Sequence, residues 1–215
     1  MQVDDIKDYG WKKAKTCAHD FLESSIFKAF EDFAVSKNAM ILDAGCGGGY
    51  TTNTLFKEGF KNIFGFDVSD SGIRVAKESF KDIEDRIEIH NGYNKELPTT
   101  FPKNNNYDLI LSVEVMEHLF SPQKYLGNCR DWLGDNGLII ITTPYHGYLK
   151  NLAIAASNGF DRHVDPLWEG GHIKFFSRKT LQKLLEESGF KPLKFYGSGR
   201  VPYLWKAMVI VARRM

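Results

Sequence analysis

Residues 40–50 read Met40-Ile41-Leu42-Asp43-Ala44-Gly45-Cys46-Gly47-Gly48-Gly49-Tyr50. An apolar strand ends in an acid, a glycine-rich loop follows, and a helix then begins. Glycine lacks a Cβ, so this loop can turn sharply and let a ligand lie against the backbone. The first N–H groups of the helix have no partner within it and carry partial positive charge. The stretch therefore predicts a small-molecule site whose loop residues are Gly45, Cys46, Gly47 and Gly49.

Two cofactors compete for this loop. A dinucleotide fingerprint, G-x-G-x-x-G, would place its third glycine at Tyr50, and the acid Asp43 would repel a pyrophosphate. The same acid would attract the ammonium group of an amino acid, because opposite charges at short range attract. S-adenosylmethionine carries both an amino acid and a ribose. The pattern therefore favours S-adenosylmethionine over NAD.

The next apolar run, residues 62–67, ends in a second acid, Asp67. Its distance from the glycine loop is about that of a ribose-binding acid in a βαβ unit, roughly 20 residues. A carboxylate can accept hydrogen bonds from both ribose hydroxyls. The alternative is local, because an Asp here can also form a turn or cap the helix that starts near Ser69.

At these residues the chain resembles the class I S-adenosylmethionine-dependent methyltransferases, and most closely the small-molecule branch that includes the ubiquinone-biosynthesis O-methyltransferases. The resemblance runs from about residue 38 to the C-terminus. The matching stretches are Leu42-Asp43-Ala44-Gly45-Cys46-Gly47-Gly48-Gly49, Gly65-Phe66-Asp67-Val68-Ser69, residues 107–119, residues 133–144, His172-Ile173-Lys174-Phe175-Phe176-Ser177 and residues 184–190.

The resemblance implies roles for several residues on the cofactor side. Asp43 would hold the amino-acid end, Asp67 the ribose, and Glu114 would lie beside the methionine. Val68 would pack against the adenine ring. Relatives often carry an acid after the third strand, but Gly92 and Tyr93 stand there in this chain. This departure leaves the details of adenine recognition open.

The resemblance also suggests where the proton of an acceptor hydroxyl would go. Glu117-His118 matches a Glu-His pair that assists proton transfer in some relatives, so His118 is the first candidate base. His172 is the second, and His146 and His163 are less favoured. The alternative is that Glu117 caps the following helix while His118 only packs. His163-x-Asp165 is weak evidence for a metal site, and we expect no required metal.

The pattern of elements predicts an α/β fold. It is a Rossmann-like three-layer sandwich with a mostly parallel seven-stranded sheet and one antiparallel strand. The antiparallel strand follows because the last two strands have no helix between them, and the resemblance implies the same arrangement. Strands are expected at 39–44, 62–67, 86–90, 107–113, 137–143, 191–197 and 205–212. Helices are expected at 12–33, 50–58, 70–80, 122–132 and 178–188.

We expect residues 1–215 to form a single methyltransferase domain with two additions. Residues 1–37 would form a helical cap. Residues 144–177 are too long for an ordinary connection and rich in aromatic and polar side chains, which suits a lid over the acceptor pocket. A short helix is expected at 149–156. The alternative for this insert is a peripheral decoration or the surface of a homodimer.

Composition limits the function classes. The 215 residues are 43% hydrophobic with a net charge of +1, which suits one globular domain and argues against a nucleic-acid partner. The sequence has no apolar run of membrane-spanning length and no signal-like N-terminus, and its three cysteines are scattered, so a cytoplasmic location is expected. The expected function is methyl transfer to a small molecule, most readily to oxygen, with S-adenosylhomocysteine as product. An N-methyltransferase, a non-catalytic S-adenosylmethionine-binding subunit and a nicotinamide oxidoreductase remain alternatives.

Overall fold

The computed structural model describes residues 17–164, 166–168 and 170–215. The first part of the expected cap, residues 1–16, lies outside the described residues. The helices are α1 (Cys17–Asp32), α2 (Tyr50–Lys57), α3 (Asp70–Ser79), α4 (Pro122–Trp132), α5 (Tyr148–Ala156), α6 (Phe160–Val164) and α7 (Arg178–Glu187). The strands are β1 (Ile41–Ala44), β2 (Ile63–Asp67), β3 (Ile87–Ile89), β4 (Tyr107–Val113), β5 (Leu133–Pro144), β6 (Phe190–Ser198) and β7 (Ala207–Arg214). Short 3₁₀ turns occupy Lys81–Arg86 and Met116–His118.

The strands form one seven-stranded sheet in the order β3-β2-β1-β4-β5-β7-β6. Neighbours from β3 to β5 pair in parallel, whereas β7 is antiparallel to both β5 and β6. The predicted fold class, with one reversed strand, is confirmed. Strand order changes direction between β1 and β4, and open α/β sheets bind ligands at the carboxyl ends of the strands beside such a point.

Buried side chains cover both faces of the sheet. Leu42 and Ile110 join a cluster with residues of α4 and α7 on one face. Ile41 and Leu109 point the other way and pack with residues of α1 and α2. This alternation along each strand, with helices on both sides, gives the three layers that the βα pattern predicts.

The start of β5 differs from the prediction. The strand begins at Leu133, because Leu133 pairs with Tyr107 before the register shifts to Leu138 opposite Leu109. The intervening residues include Asn136 with a φ of 61°. The strand was expected to begin at residue 137, and the structure includes residues 133–136 in it with an irregularity in the pairing.

The insert at 144–177 contains two short helices in its described part. The helix expected at 149–156 is present as α5, while α6 was not predicted. Among the described residues, no helix is both long and apolar enough to cross a membrane.

Candidate functional site

The glycine loop between β1 and α2 has a backbone that only glycine adopts easily. Gly45 and Gly49 have φ values of +94° and +75°. A Cβ on Gly45 would lie 2.4 Å from a methyl group of Val115, so there is no room for a side chain. L residues rarely adopt such φ values, which explains glycine at both positions. The contact with Val115 is a second reason for glycine at position 45.

The loop is fixed to the neighbouring strand. The backbone N–H groups of Gly45 and Cys46 both donate to the carbonyl of Phe66, each at 2.8 Å. The Cys46 thiol is buried, and burial raises its pKa well above the ordinary value. Because the thiolate is the reactive form, Cys46 acts here as a small packing residue.

Asp43 is buried with one oxygen unsatisfied. Its Oδ2 accepts a hydrogen bond from Thr52 Oγ1 at 2.6 Å, whereas Oδ1 has no hydrogen-bond partner among the described residues. Burial raises the pKa of Asp43 to about 7, opposed by the Thr52 hydrogen bond and assisted by the charge of Asp67. A buried carboxylate oxygen without a partner is costly unless a ligand supplies one. An ammonium group would satisfy both its charge and its hydrogen-bonding capacity.

Asp67 holds the ends of two loops together. Its Oδ1 accepts from the backbone N–H of Ser69 and its Oδ2 from that of Gly47, each at 2.8 Å. Ser69 in turn caps α3 by accepting from Gly72 N–H at 3.2 Å. The local role of Asp67 is therefore present. It leaves room for a ribose, because a carboxylate offers about four lone-pair sites.

Gly92, Tyr93 and Val68 are the residues predicted to border the adenine, and the structure places each in a different local environment. A Cβ on Gly92 would lie 2.9 Å from the Tyr125 ring, so close packing explains this glycine. The Tyr93 hydroxyl accepts a hydrogen bond from Ser121 N–H at 3.1 Å. Val68 is half-buried at the end of β2. Roles in adenine binding remain predictions for all three.

Glu114 follows β4 in a strained conformation, with a φ of 54°. Its backbone N–H donates to the Thr142 hydroxyl at 3.0 Å, and that hydroxyl donates to Glu114 Oε1 at 2.8 Å. Burial raises the pKa of Glu114, opposed by the Thr142 hydrogen bond and the charge of Lys150. Such strain persists only where surrounding contacts enforce it, and it concentrates at functional sites.

Glu117, His118 and His172 form a cluster beside Glu114, which we call the Glu-His cluster. One ligand-type atom from each lies within 4.8 Å of the other two. His172 Nε2 is 4.0 Å from Glu117 Oε1, and the rings of His118 and His172 are 4.9 Å apart. The sequence predicted Glu117-His118 as a pair and His172 apart from it, and the structure brings the three together.

The backbone of Glu117 explains how His172 reaches the cluster. The carbonyl of Glu117 accepts hydrogen bonds from the N–H groups of Ile173 at 2.9 Å and Lys174 at 3.0 Å. These bonds fix the end of the insert onto the turn after β4. The capping alternative for Glu117 is wrong, because α4 begins at Pro122 with Ser121 as its N-cap and Glu117 is fully buried.

The protonation states of the cluster follow from burial. Burial and the charge of Glu114 raise the pKa of Glu117 well above the ordinary value. Burial lowers the pKa of His118, and burial together with the other histidines lowers that of His172 to about 4. At neutral pH both imidazoles are therefore uncharged. A neutral imidazole can accept a proton, and a carboxylate with two imidazoles can also bind a divalent cation.

Sequence reasoning missed Lys150 in α5. Its side chain is 5% exposed, and its Nζ donates to the carbonyl of Lys206 at 2.9 Å. The one signal in the sequence is a single cation in the otherwise uncharged segment Tyr148–Ala156. His146, on the preceding loop, lies against His163 with ring centroids 5.2 Å apart.

Comparison with known proteins identifies the family of the chain. A family model described as a methyltransferase domain matches residues 19–194. A ubiquinone biosynthesis O-methyltransferase of Roseobacter denitrificans is 28% identical over 195 residues, covering 88% of this chain and 76% of that protein.

Solved structures show the same fold. Magnesium protoporphyrin IX methyltransferase of Synechocystis PCC 6803 superposes with a TM-score of 0.70 at 14% identity, covering 96% of this chain and 91% of that one. An S-adenosylmethionine-dependent methyltransferase of Mesorhizobium loti gives 0.68 at 15% identity, covering 92% and 100%. With the family match spanning most of its length, the chain belongs to the methyltransferase-domain family and is a class I S-adenosylmethionine-dependent methyltransferase.

Proposed function

We propose that this enzyme transfers the methyl group to a hydroxyl oxygen of a small-molecule acceptor. The Glu-His cluster carries this proposal, since it places neutral imidazoles and a buried acid at the carboxyl end of β4. An alcohol or phenol must lose a proton when it is methylated, whereas a neutral amine can attack first. The names of relatives such as the Roseobacter denitrificans O-methyltransferase support the same acceptor atom.

The cofactor residues are assigned within the same proposal. S-adenosylmethionine supplies a methyl group that its sulfonium already activates. Asp43 Oδ1, buried without a partner, would take the ammonium group. Gly45, Cys46, Gly47 and Gly49 would let the ligand lie against the loop, and Asp67 would accept from the ribose. Glu114 would border the methionine portion, while Val68, Gly92 and Tyr93 would border the adenine.

His118 would receive the proton of the acceptor hydroxyl. Burial lowers the pKa of His118, so the ring is neutral at neutral pH and can accept a proton. Glu117 and His172 would position and polarise it. The insert at 144–177 would exclude water above the cluster, with residues 1–37 as a cap. Water exclusion strengthens each electrostatic interaction inside the site.

The test is His118→Gln in a methyl-transfer assay with a panel of matched hydroxyl and amine acceptors. If His118 is the base, kcat should fall by about 10²–10⁴-fold with hydroxyl acceptors. Affinity for S-adenosylhomocysteine should change little, which serves as the control for folding. Turnover of amines alone, or a variant as active as the wild type across the pH range, would refute the role.

A second candidate uses the same side chains as ligands for a divalent cation. The close approach of Glu117, His118 and His172 favours it, because carboxylate and imidazole are ligands of such ions. Metal analysis of the purified enzyme, followed by chelation and re-addition of Mg²⁺, Mn²⁺ or Zn²⁺, separates the two candidates. If chelation leaves the activity unchanged, the cation candidate is refuted. If chelation abolishes activity, one ion restores it, and His172→Gln prevents that restoration, the cation site is favoured over the general-base mechanism.

The third candidate is a subunit that binds S-adenosylmethionine without transferring its methyl group. Tight cofactor binding with no turnover of any acceptor, together with stable association with a second protein, would favour it. The buried Glu-His cluster argues against it, since an inert scaffold has no need of a desolvated acid beside two imidazoles.

A further inference from the structure

A second cluster of polar groups lies beside the Glu-His cluster. It consists of His146 after β5, Lys150 on α5, His163 on α6 and Arg200 in the loop between β6 and β7. The rings of His146 and His163 are in contact. The charge of Lys150 acts on both of them, and that of Arg200 acts on Lys150 and His163. We call it the basic pocket. The methyl-transfer chemistry described above uses none of these four side chains.

Lys150 is the centre of the basic pocket. Lys150 is buried, with 5% of its surface exposed. Among the described residues, its ammonium makes a single hydrogen bond, to the Lys206 carbonyl. An ammonium has three donors, so two remain. Among the residues that the structure describes, no carboxylate lies within 4.0 Å of Lys150 Nζ. The charge of Glu114 acts on Lys150 without an ion pair within 4.0 Å, while burial and the charge of Arg200 lower the pKa of Lys150 to about 8. Burying an ammonium that no carboxylate contacts is costly, and a bound anion would offset that cost.

In the described part of the chain, each of the two histidines has a buried Nε2 without a hydrogen-bond partner. His146 is 8% exposed, and its Nδ1 pairs with Asn151 Oδ1 at 3.2 Å, while its Nε2 has no hydrogen-bond partner. His163 Nε2 is likewise buried without one. Two unsatisfied imidazole nitrogens next to an unsatisfied ammonium indicate a polar ligand rather than an apolar one.

The electrostatic field of the pocket is positive. Burial and the charge of Lys150 together lower the pKa of His146 to about 4. The pKa of His163 is lowered by burial and by the charges of Lys150 and Arg200. The positive charges of Lys150 and Arg200 oppose protonation of the two imidazoles. The same positive potential would favour binding of an anion.

The pocket adjoins the methyl-transfer site. Lys150 interacts electrostatically with Glu114 at the end of β4, and His146 and His163 do so with His172 of the Glu-His cluster. The Lys206 carbonyl that binds Lys150 also accepts from Tyr145 N–H at 3.2 Å, which ties α5 to the end of β5. A molecule with its hydroxyl at the Glu-His cluster would therefore extend toward the basic pocket.

We propose that the acceptor carries an anionic group, a carboxylate or a phosphate, which the basic pocket binds through Lys150 and Arg200 while the hydroxyl faces the Glu-His cluster. The inference rests on the proposed O-methyl transfer. It defines the acceptor as an acidic hydroxy compound. Lys150 and Arg200 are specificity-determining residues in this assignment.

The binding test uses the protein saturated with S-adenosylhomocysteine. Inorganic phosphate and acetate are titrated separately by calorimetry at constant ionic strength, with chloride as the reference anion. We expect at least one of them to bind more tightly than chloride, and Lys150→Met to weaken it tenfold or more. The two probes distinguish a phosphate from a carboxylate. Lys179→Met, the same charge change at an exposed site on α7, should leave binding unchanged.

Arg200→Met keeps the test decisive if Lys150→Met does not fold, since Arg200 is exposed in a loop. We expect it to weaken anion binding as well. The proposal is overturned if neither probe binds more tightly than chloride, or if the folded variants bind as the wild type does. A purely structural role for Lys150 would lower thermal stability without changing anion affinity.

A kinetic arm separates this inference from the proposed function. Hydroxybenzoates are compared with their methyl esters, which keep the hydroxyl and lose the charge. The wild type should prefer the acids in kcat/KM, and Lys150→Met should abolish that preference. Methylation of acids and esters at equal rates overturns the anion pocket alone. Methylation of amines and no hydroxyl compound overturns the proposed function instead.

Discussion

The buried carboxyl of Asp43 makes cofactor binding depend on pH in a direction that can be calculated. In the free enzyme its pKa is about 7. Binding of an ammonium group requires the ionised form, so the proton must leave when the ligand binds. Affinity should therefore rise with pH until the carboxyl is ionised in the free enzyme as well.

The magnitude follows from that pKa. The carboxyl is about 3% ionised at pH 5.5 and about 75% ionised at pH 7.5, which predicts a rise in affinity of about 25-fold, or ~1.9 kcal/mol. Above about pH 8 the amino group of the ligand itself loses its proton, so affinity should then decline. Calorimetric titration with S-adenosylhomocysteine measures the whole profile, since this product has the same amino-acid and ribose groups.

Two variants test the reasoning from opposite sides. Asp43→Asn should bind more weakly and show a flat profile between pH 5.5 and 7.5, with any remaining slope assigned to Asp67. Thr52→Val removes the hydrogen bond that lowers the pKa of Asp43, so the midpoint should move above pH 7. A flat wild-type profile, or an Asn variant with an unchanged slope, would refute the assignment of Asp43 to the ammonium group.

Two further substitutions probe the loop. Asp67→Ala should weaken S-adenosylhomocysteine binding by about 1.5–3 kcal/mol for each charge-assisted hydrogen bond lost. Ser69→Ala, which removes the N-cap of α3 and a hydrogen bond to Ser71 but leaves Asp67 in place, should lower thermal stability while affinity stays the same. Equal affinity losses in both variants would contradict the ribose role. Gly45→Ala should abolish cofactor binding or folding because of its φ of +94° and the 2.4 Å approach to Val115. In the matched control Gly127→Ala, where a Cβ meets nothing within 4 Å on α4, stability should rise by about 0.5–1 kcal/mol in thermal unfolding.

Much of the fold was predictable because the first strands end at residues that mark their boundaries in the sequence. Asp43 and Asp67 terminate apolar runs, and the glycines between them demand a sharp turn, so β1, α2 and β2 were located within two residues. The reversed β7 followed from the missing helix before it. The early start of β5 could not be foreseen, because Gly134 and Asn136 resemble a turn unless the pairing of Leu133 with Tyr107 is known.

The candidate site was predictable as a set of residues but not as an arrangement. Glu117 and His118 are adjacent, whereas His172 reaches them only through backbone hydrogen bonds from Ile173 and Lys174. Spacing along the chain carries no information about such a long-range contact. Lys150 was missed for a similar reason: on a short helix a lysine is normally solvated, and its burial depends on the Lys206 carbonyl from a distant loop.

The two hydrogen bonds on the Glu117 carbonyl have a consequence for turnover. The peptide group of Glu117 anchors the end of the insert, which we propose covers the acceptor. If that segment lifts to admit an acceptor, both bonds break and His172 departs with it. The enzyme then has an open form that admits molecules but cannot react, and a closed form that reacts but admits nothing. Slow deuterium uptake at the Ile173 and Lys174 amides, accelerated whenever product is released, is the signature that this coupling requires.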